Sequence, residues 1–224
     1  MSYYSQYKQD VILDKHVFKG FKNGFFVDVG AHDGKSLNNT LYFEESLGWS
    51  GINIEPINSV YDSLIKNRPN DINLNIAIDK KEGVSKFLKN TGYTEMLSGL
   101  QEYYESQHHN RLKHENKVMN SNTDIIEVPT RRLDNVLKEH NINHVHLLSI
   151  DVEGAELAVF ESINFEEVFI DVIVFEDNYQ NNYRTIMDLL KDKGFLPLAK
   201  VQDIFLINKN SEFLSLLQTG NVYI

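Results

Sequence analysis

A loop of glycine and acidic residues is the stretch of this chain best suited to chemistry. The segment Phe25–Ser36 reads F-F-V-D-V-G-A-H-D-G-K-S. Its first five residues are apolar except for Asp28, which predicts a buried strand. Gly30 and Gly34 then allow close approach of the backbone to a ligand, and a helix is predicted over Leu37–Leu47. A strand, a glycine loop and a helix in this order form nucleotide sites in α/β proteins.

The charge of Asp28 indicates which ligand the loop suits. A dinucleotide fingerprint has three glycines that cradle a pyrophosphate, and Asp28 stands in place of the first. A carboxylate repels a pyrophosphate and attracts a cation. S-adenosylmethionine carries a sulfonium and an ammonium and no phosphate, so the loop favours it over NAD. A tight turn in which Asp33 or Ser36 caps the helix is the alternative.

Further candidate residues lie at the ends of the next two predicted strands. Glu55 follows the strand in Gly51–Pro56, about 20 residues past the glycine loop, where doubly wound sites place an acid on the ribose hydroxyls. A surface or capping role is the alternative for Glu55. The strand Ile72–Ile78 ends beside Asp79, so the backbone of Ile78 or the carboxylate of Asp79 is a candidate adenine contact. A turn role for Asp79 fits equally well.

Two acidic clusters come after later strands, His144–Ile150 and Ile170–Phe175. Their members are Asp151, Glu153, Glu156, Glu176, Asp177 and Asn178. Packed acids repel one another unless they bind a cation or share a proton. They are therefore suited to hold a cationic cofactor, act as a general base, or ligate a hard divalent metal. We expect Asp151 to contact cofactor and acceptor and Glu153 to be the base. The expected ligands of any Mg²⁺ or Mn²⁺ are Asp151, Glu176 and Asn178, with capping or solvated acids as the alternative.

The composition limits the class of protein. The chain has 224 residues, of which 42% are hydrophobic, enough for one domain with one core. The absence of cysteine excludes disulfides and thiolate zinc sites. A net charge of −10 argues against nucleic acid as a partner. The polar start does not resemble a signal peptide and no apolar run is long enough to span a membrane, so we expect a soluble cytoplasmic protein.

The predicted elements alternate between strands and helices, as in α/β proteins. The last two strands, Phe195–Ala199 and Ile204–Ile207, have too short a connection for a crossover and must pair antiparallel. The segment Asn90–Asp124 is rich in Tyr, His, Asn and Glu. It predicts a substrate loop or lid with a helix over Leu100–Leu112, although an ordinary surface helix is the alternative. Its histidines lack a metal-binding spacing and are expected at the surface: His108, His109 and His114.

Longer motifs resemble a known family. They are S-Q-Y-K-Q-D at Ser5–Asp10, F-F-V-D-V-G-A-H-D-G at Phe25–Gly34, W-S-G-I-N-I-E-P at Trp49–Pro56, R-R-L-D-N-V-L at Arg131–Leu137, and L-L-S-I-D-V-E-G-A-E at Leu147–Glu156. Together they resemble the FkbM family of S-adenosylmethionine-dependent methyltransferases over most of the chain. The resemblance implies a class I methyltransferase fold, which is Rossmann-like α/β. Its seven-stranded sheet is mostly parallel with an antiparallel last strand, and helices cover both faces. One domain, 1–224, would carry the insertion at 90–124.

The resemblance also implies a function and a set of contacts. The function is O-methylation of a hydroxyl on a sugar, a glycan or another small acceptor. The methionine part of the cofactor would lie against Asp28, Gly30, Ala31, His32, Gly34 and Ser36. The ribose would lie at Glu55, the adenine beside Ile78 and Asp79, and the methyl group above Asp151. The alternatives are a binding module without turnover and an NAD-dependent oxidoreductase, which would require a third glycine.

Overall fold

Two sheets and eight helices make up the computed structural model, which describes residues 2–104, 106–176 and 182–218. The strands are β1 (Phe25–Val29), β2 (Ser50–Ile54), β3 (Ile72–Leu74), β4 (Ala77–Ile78), β5 (Gly83–Asn90), β6 (Gly99–Leu100), β7 (Thr123–Arg131), β8 (His144–Ile150), β9 (Phe169–Phe175), β10 (Phe195–Lys200) and β11 (Ile204–Asn208). The helices are α1 (Gln9–Ile12), α2 (Leu41–Leu47), α3 (Asn58–Asn67), α4 (Ser106–Met119), α5 (Leu133–Glu139), α6 (Glu156–Glu161), α7 (Tyr183–Asp192) and α8 (Glu212–Gln218). A π-helical segment, Leu13–Phe18, continues α1.

The main sheet has seven strands in the order β10-β11-β9-β8-β1-β2-β3. Strand β11 is antiparallel to both of its neighbours, and the other adjacent pairs are parallel. This confirms the predicted seven-stranded sheet with an antiparallel last strand. Because β1 lies between β2 and β8, the carboxyl ends of these three strands meet at one edge, where open α/β sheets bind ligands.

Apolar side chains cover both faces of the main sheet. Val27 and Ile52 belong to the buried cluster on one face, and Phe26 and Leu147 to the cluster on the other. Strands buried on both sides are typical of parallel sheets. No helix in the described part of the chain is long and apolar enough to cross a bilayer.

The predicted third strand, Ile72–Ile78, is divided in two. Strand β3 ends at Leu74 in the main sheet, whereas β4 pairs with β7 in a second sheet of order β4-β7-β5-β6. Asn75 lies at the break and donates its side-chain amide to the backbone carbonyl of Glu55 at 2.9 Å. A side chain thus replaces the next ladder hydrogen bond, and the chain leaves the main sheet there.

Helix α2 begins four residues later than predicted. Leu37 has a φ of 55°, which is incompatible with a right-handed helix. The side-chain oxygen of Asn38 accepts the backbone N–H groups of Thr40 and Leu41 at 2.9 and 2.8 Å. This local capping competes with helix formation, so residues 37–40 stay in the loop and border the ligand edge.

The predicted insertion at 90–124 is partly built into the second sheet. Strand β6 pairs with β5 in the second sheet. Two 3-10 helical segments span Gly92–Leu97 and Gln101–Tyr103. Helix α4 starts later than the predicted helix Leu100–Leu112. Among its described side chains, only His108 and Leu112 are buried. The segment is therefore anchored to the domain through a sheet and a narrow helical face.

Candidate active site

A cleft opens at the carboxyl ends of β1, β2 and β8, with a volume of about 980 Å³ that includes the solvent at its mouth. Eight of the predicted site residues line it: Asp28, Gly30, Ala31, His32, Ser36, Glu55, Ile78 and Asp151. Residues from four separate parts of the sequence thus share one cavity.

Asp28 lies on the floor of the cleft and is almost fully buried. Its Oδ2 accepts hydrogen bonds from the side chains of Asn38 at 2.9 Å and Thr40 at 3.0 Å. Burial raises the pKa of Asp28, while the positive charge of Arg68 and the two hydrogen bonds oppose that rise. The carboxyl is therefore fixed in position where a cationic ligand would meet it.

Arg68 supports the glycine loop, a role that the sequence motifs do not indicate. Its side chain is fully buried, and Nη1 donates at 3.2 Å to the carbonyl of Gly34 and to the side-chain oxygens of Asn38 and Thr40. The guanidinium also forms ion pairs with Asp71, at 3.0 Å, and with Glu44. An arginine after a predicted helix gives no local signal of this role.

Two glycines of the loop are required by close packing. A Cβ on Gly30 would lie 1.9 Å from the backbone carbonyl oxygen of Asp151. A Cβ on Gly34 would lie 2.5 Å from Leu64 and 2.7 Å from Arg68. Gly34 does not line the cleft, and its glycine character is needed for packing on Arg68. Its contact with the cofactor stays a prediction.

Glu55 is 6% exposed and borders the cleft at the end of β2. Its Oε1 accepts the backbone N–H of Ile57 at 2.7 Å, and the backbone N–H of His32 also donates to the carboxyl. Burial, with a smaller contribution from the negative charge of Glu95, raises the pKa of Glu55 to about 7. Hydroxyl donors would favour its ionised form.

The structure leaves Ile78, and not Asp79, at the cleft. Asp79 is buried outside the cleft lining, and its Oδ1 accepts the hydroxyl of Tyr103 at 2.7 Å and the backbone N–H of Lys80 at 2.7 Å. These contacts fit the turn role of Asp79, and the adenine contact by its carboxylate stays a prediction. Apolar residues accompany Ile78 on this side of the cleft: Ile57, Phe87 and Leu100.

Asp151, Glu153 and Glu176 come together at the other side. One carboxylate oxygen from each lies within 4.8 Å of the other two. Asp151 opens onto the cleft, but the surrounding protein reduces its solvation, and this, followed by the charge of Glu176, raises its pKa. Burial and then the charge of Glu176 likewise raise the pKa of Glu153. The cluster must therefore retain protons or bind a cation. Asn178, the remaining predicted ligand, lies outside the described residues, as does Asp177.

Glu153 lies behind the cleft, facing the insertion. Its Oε2 is 3.5 Å from Nε2 of His108, and neither side chain lines the cleft. His108 is 1% exposed, and its ring stacks on Tyr104 with centroids 4.0 Å apart. The expected surface position of His108 is wrong, because α4 packs this residue on the domain. Burial lowers the pKa of His108 to about 4.

A second group of possible metal ligands lies at the opposite edge of the sheet, His144, His146 and Asp171. Nε2 of His144 is 2.6 Å from Asp171, whose other oxygen accepts the hydroxyl of Ser211. The backbone N–H of Phe25 donates to Nδ1 of His146 at 3.0 Å. A neutral imidazole that accepts at one nitrogen carries its proton on the other. These contacts fit a hydrogen-bond network that joins β8, β9 and β1.

Comparison with known proteins gives one family and several solved structures. The model of the methyltransferase FkbM domain matches residues 28–197. No curated protein matches the chain. A TehB-like S-adenosylmethionine-dependent methyltransferase from Corynebacterium glutamicum is 8% identical, with a TM-score of 0.45 over 92% of this chain and 89% of that chain. The precorrin-6y C5,15-methyltransferase from Geobacter metallireducens is 9% identical, with a TM-score of 0.45 over 89% and 85%.

Proposed function

The chain belongs to the methyltransferases with an FkbM domain, and we propose that it transfers the methyl group of S-adenosylmethionine to a hydroxyl of a sugar, a glycan or another small acceptor. The observation that carries this proposal is the meeting of Asp28, Glu55 and Asp151 in one cleft. Each residue lies at the carboxyl end of a different parallel strand, where such folds bind nucleotides.

The charge of the cleft supports this cofactor. Four acids line the cleft, Asp28, Glu55, Glu95 and Asp151, together with His32. In the described part of the chain no lysine or arginine lines it. Such a cleft suits a sulfonium and an ammonium and disfavours the pyrophosphate of NAD. We place the methionine part at the glycine loop, the ribose at Glu55 and the adenine beside Ile78.

The acidic cluster suits the acceptor side of the reaction. The acceptor oxygen forms a bond to the methyl carbon, the bond from that carbon to sulfur breaks, and the electron pair stays on sulfur. The hydroxyl proton must leave, because a neutral alcohol is a poor nucleophile. We propose that Asp151 receives it, since Asp151 faces the cleft, and that Glu153 acts as the base through Asp151, because Glu153 lies behind it.

A divalent cation is a second proposal for the same cluster. Carboxylate oxygens are the ligands that Mg²⁺ and Mn²⁺ prefer. Asp151 and Glu176 are the predicted ligands with Asn178, and Glu153 lies close enough to join them. A bound cation would neutralise the cluster and favour the alkoxide form of the acceptor.

Metal titration separates this proposal from simple proton sharing. Metal-free protein should bind Mn²⁺ in calorimetry, and Glu176→Gln should weaken that binding at least tenfold without altering the affinity for S-adenosylhomocysteine. The exposed Glu166 provides the control, Glu166→Gln. Absence of Mn²⁺ binding by the unaltered protein would reject the metal.

A product screen tests the activity itself. The protein is incubated with S-adenosylmethionine and a panel of monosaccharides, oligosaccharides and small alcohols, and products are analysed by mass spectrometry for an added methyl group. We expect one acceptor class to be methylated, and Asp151→Asn to lower turnover at least a hundredfold, as is typical for loss of a positioned base. Cofactor binding without turnover on any acceptor would support the alternative of a binding module. The cytoplasmic location and the acceptor identity remain predictions.

A further inference from the structure

An acid from the insertion enters the cofactor cleft. Glu95, within the 3-10 helix Gly92–Leu97, lines the same cavity as Glu55, together with its neighbours Met96 and Ser98. The sequence motifs give no indication of this residue, because it lies about 40 residues beyond Glu55 in a segment without a recognisable pattern. The insertion therefore forms a wall of the cofactor site.

Hydrogen bonds hold this wall in place at both ends. The side chain of Asn90, which is fully buried, donates to the carbonyl of Leu97 at 2.6 Å. The backbone N–H of Asn90 donates to the hydroxyl of Ser98 at 3.0 Å. Thr94 donates its hydroxyl to the side-chain oxygen of Asn116 on α4 at 2.7 Å. Glu95 is thus presented by a fixed turn next to the glycine loop.

His32 connects Glu95 to Glu55. Its ring Nε2 lies 3.3 Å from Oε2 of Glu95, and its backbone N–H donates to the carboxyl of Glu55. The two acids therefore flank the same residue on one wall of the cleft. They are close enough for Glu95 to add to the effect of burial on the pKa of Glu55.

We propose that Glu95 is a second ribose-binding carboxylate, which accepts one hydroxyl of the ribose while Glu55 accepts the other. A vicinal diol offers two O–H donors, and Oε1 of Glu55 already accepts the backbone N–H of Ile57. Two acids on one wall supply an acceptor for each hydroxyl. This inference rests on the proposed function, because it assumes an adenosyl cofactor.

Calorimetry with two ligands tests the assignment. S-adenosylhomocysteine carries the whole cofactor skeleton, whereas 5′-methylthioadenosine keeps adenine and ribose and lacks the amino-acid part. Loss of a hydrogen bond to a charged group is worth roughly 1.5–3 kcal/mol, or about tenfold or more in affinity. We expect Glu95→Gln to lower the affinity for both ligands by that factor. Glu102→Gln, an exposed acid of the same insertion, should leave both affinities unchanged.

A ligand-side change sharpens the test. An analogue of S-adenosylhomocysteine that lacks the ribose hydroxyl bonded to Glu95 should bind the unaltered protein more weakly than S-adenosylhomocysteine does. The affinities of the two ligands for Glu95→Gln should differ much less. The inference is overturned if Glu95→Gln binds both ligands normally, or if it loses affinity for S-adenosylhomocysteine alone, which would place Glu95 on the amino-acid part. If the unaltered protein binds neither ligand, the proposed cofactor itself is wrong. Thermal melts of each variant establish that it is folded, and Glu95→Ala provides a second substitution.

Discussion

The three acids at the strand ends differ in their surroundings, and those surroundings decide what each can do. Asp28 is held by neutral donors and lies near the charge of Arg68. Glu55 accepts the backbone N–H groups of Ile57 and His32 and keeps capacity for a ligand. Asp151 is crowded by other carboxylates. At the residue scale, the same chemical group is thus suited to cation binding, ribose binding or proton transfer.

The raised pKa of Glu55 makes a prediction about pH. Ribose hydroxyls donate to the ionised carboxylate, so the affinity for S-adenosylhomocysteine should fall as the pH is lowered below about 7. The slope should approach tenfold per pH unit for one linked proton. Glu55→Gln should bind weakly with no such slope, whereas Glu102→Gln should keep it. A calorimetric series from pH 5.5 to about 8 measures both; a flat profile in the unaltered protein would contradict the ribose role.

The raised pKa of Glu55 also affects the stability of the ligand-free protein, which should fall as the pH rises, whereas ligand affinity should increase. Because the folded pKa lies above the ordinary value of 4.5, the ligand-free native state binds more protons than the unfolded state between these values, and its stability falls as the pH rises through this window. Glu55→Gln removes the titrating group and therefore this loss of stability at high pH. Its melting temperature without ligand should therefore exceed that of the unaltered protein at pH 8 by several degrees, at about 2–4 °C per kcal/mol. If Glu55→Gln melted at a lower temperature than the unaltered protein at pH 8, burial of the Glu55 carboxylate would not be destabilising.

At the scale of elements, the glycine loop depends on α3. Arg68, directly after this helix, contacts the carbonyl of Gly34, two side chains of the loop and two acids. The loop thus keeps its shape through a buried cation about 30 residues away in sequence. A buried ion pair is weak evidence of net stability, but removal of one partner leaves uncompensated charge.

Arg68→Met should therefore be strongly destabilising. We expect the free energy of unfolding to fall by roughly 3–5 kcal/mol, because Asp71 and Glu44 lose their cation. Urea unfolding, monitored by circular dichroism, measures this change in the free energy of unfolding. Lys66→Met, at an exposed position near the end of the same helix, should change stability by less than about 0.5 kcal/mol. Equal effects of the two substitutions would show that the ion pairs have no special role.

Local patterns predict the elements better than the contacts between them. The strand at Phe25–Val29, the glycine loop after it and the antiparallel final pair follow from short-range patterns of apolar residues and glycine. The break at Asn75 depends on one side chain replacing a ladder hydrogen bond. Arg68 and Glu95 reach the site through packing of segments that are distant in sequence. The periodicity of apolar residues does not predict such packing. The burial of His108 has the same origin.

At the scale of the molecule, the strand order places the site. Strand β1 is central, so its carboxyl end adjoins those of β2 and β8. The glycine loop therefore meets Glu55 and Asp151, two of the acids that the sequence predicts for the cofactor. The second sheet closes the side where β4 leaves the main sheet, and it carries the insertion. The overall charge of −10 has the same sign as the cleft, which favours a cationic cofactor over nucleic acid.

Calorimetric titration with S-adenosylhomocysteine, with NAD as the matched control, tests the central claim most directly. The account predicts binding of S-adenosylhomocysteine and none of NAD, and at least a tenfold loss of affinity in Asp28→Asn, which removes the charge at nearly constant volume. Binding of NAD alone, or equal affinity of Asp28→Asn for S-adenosylhomocysteine, would contradict it.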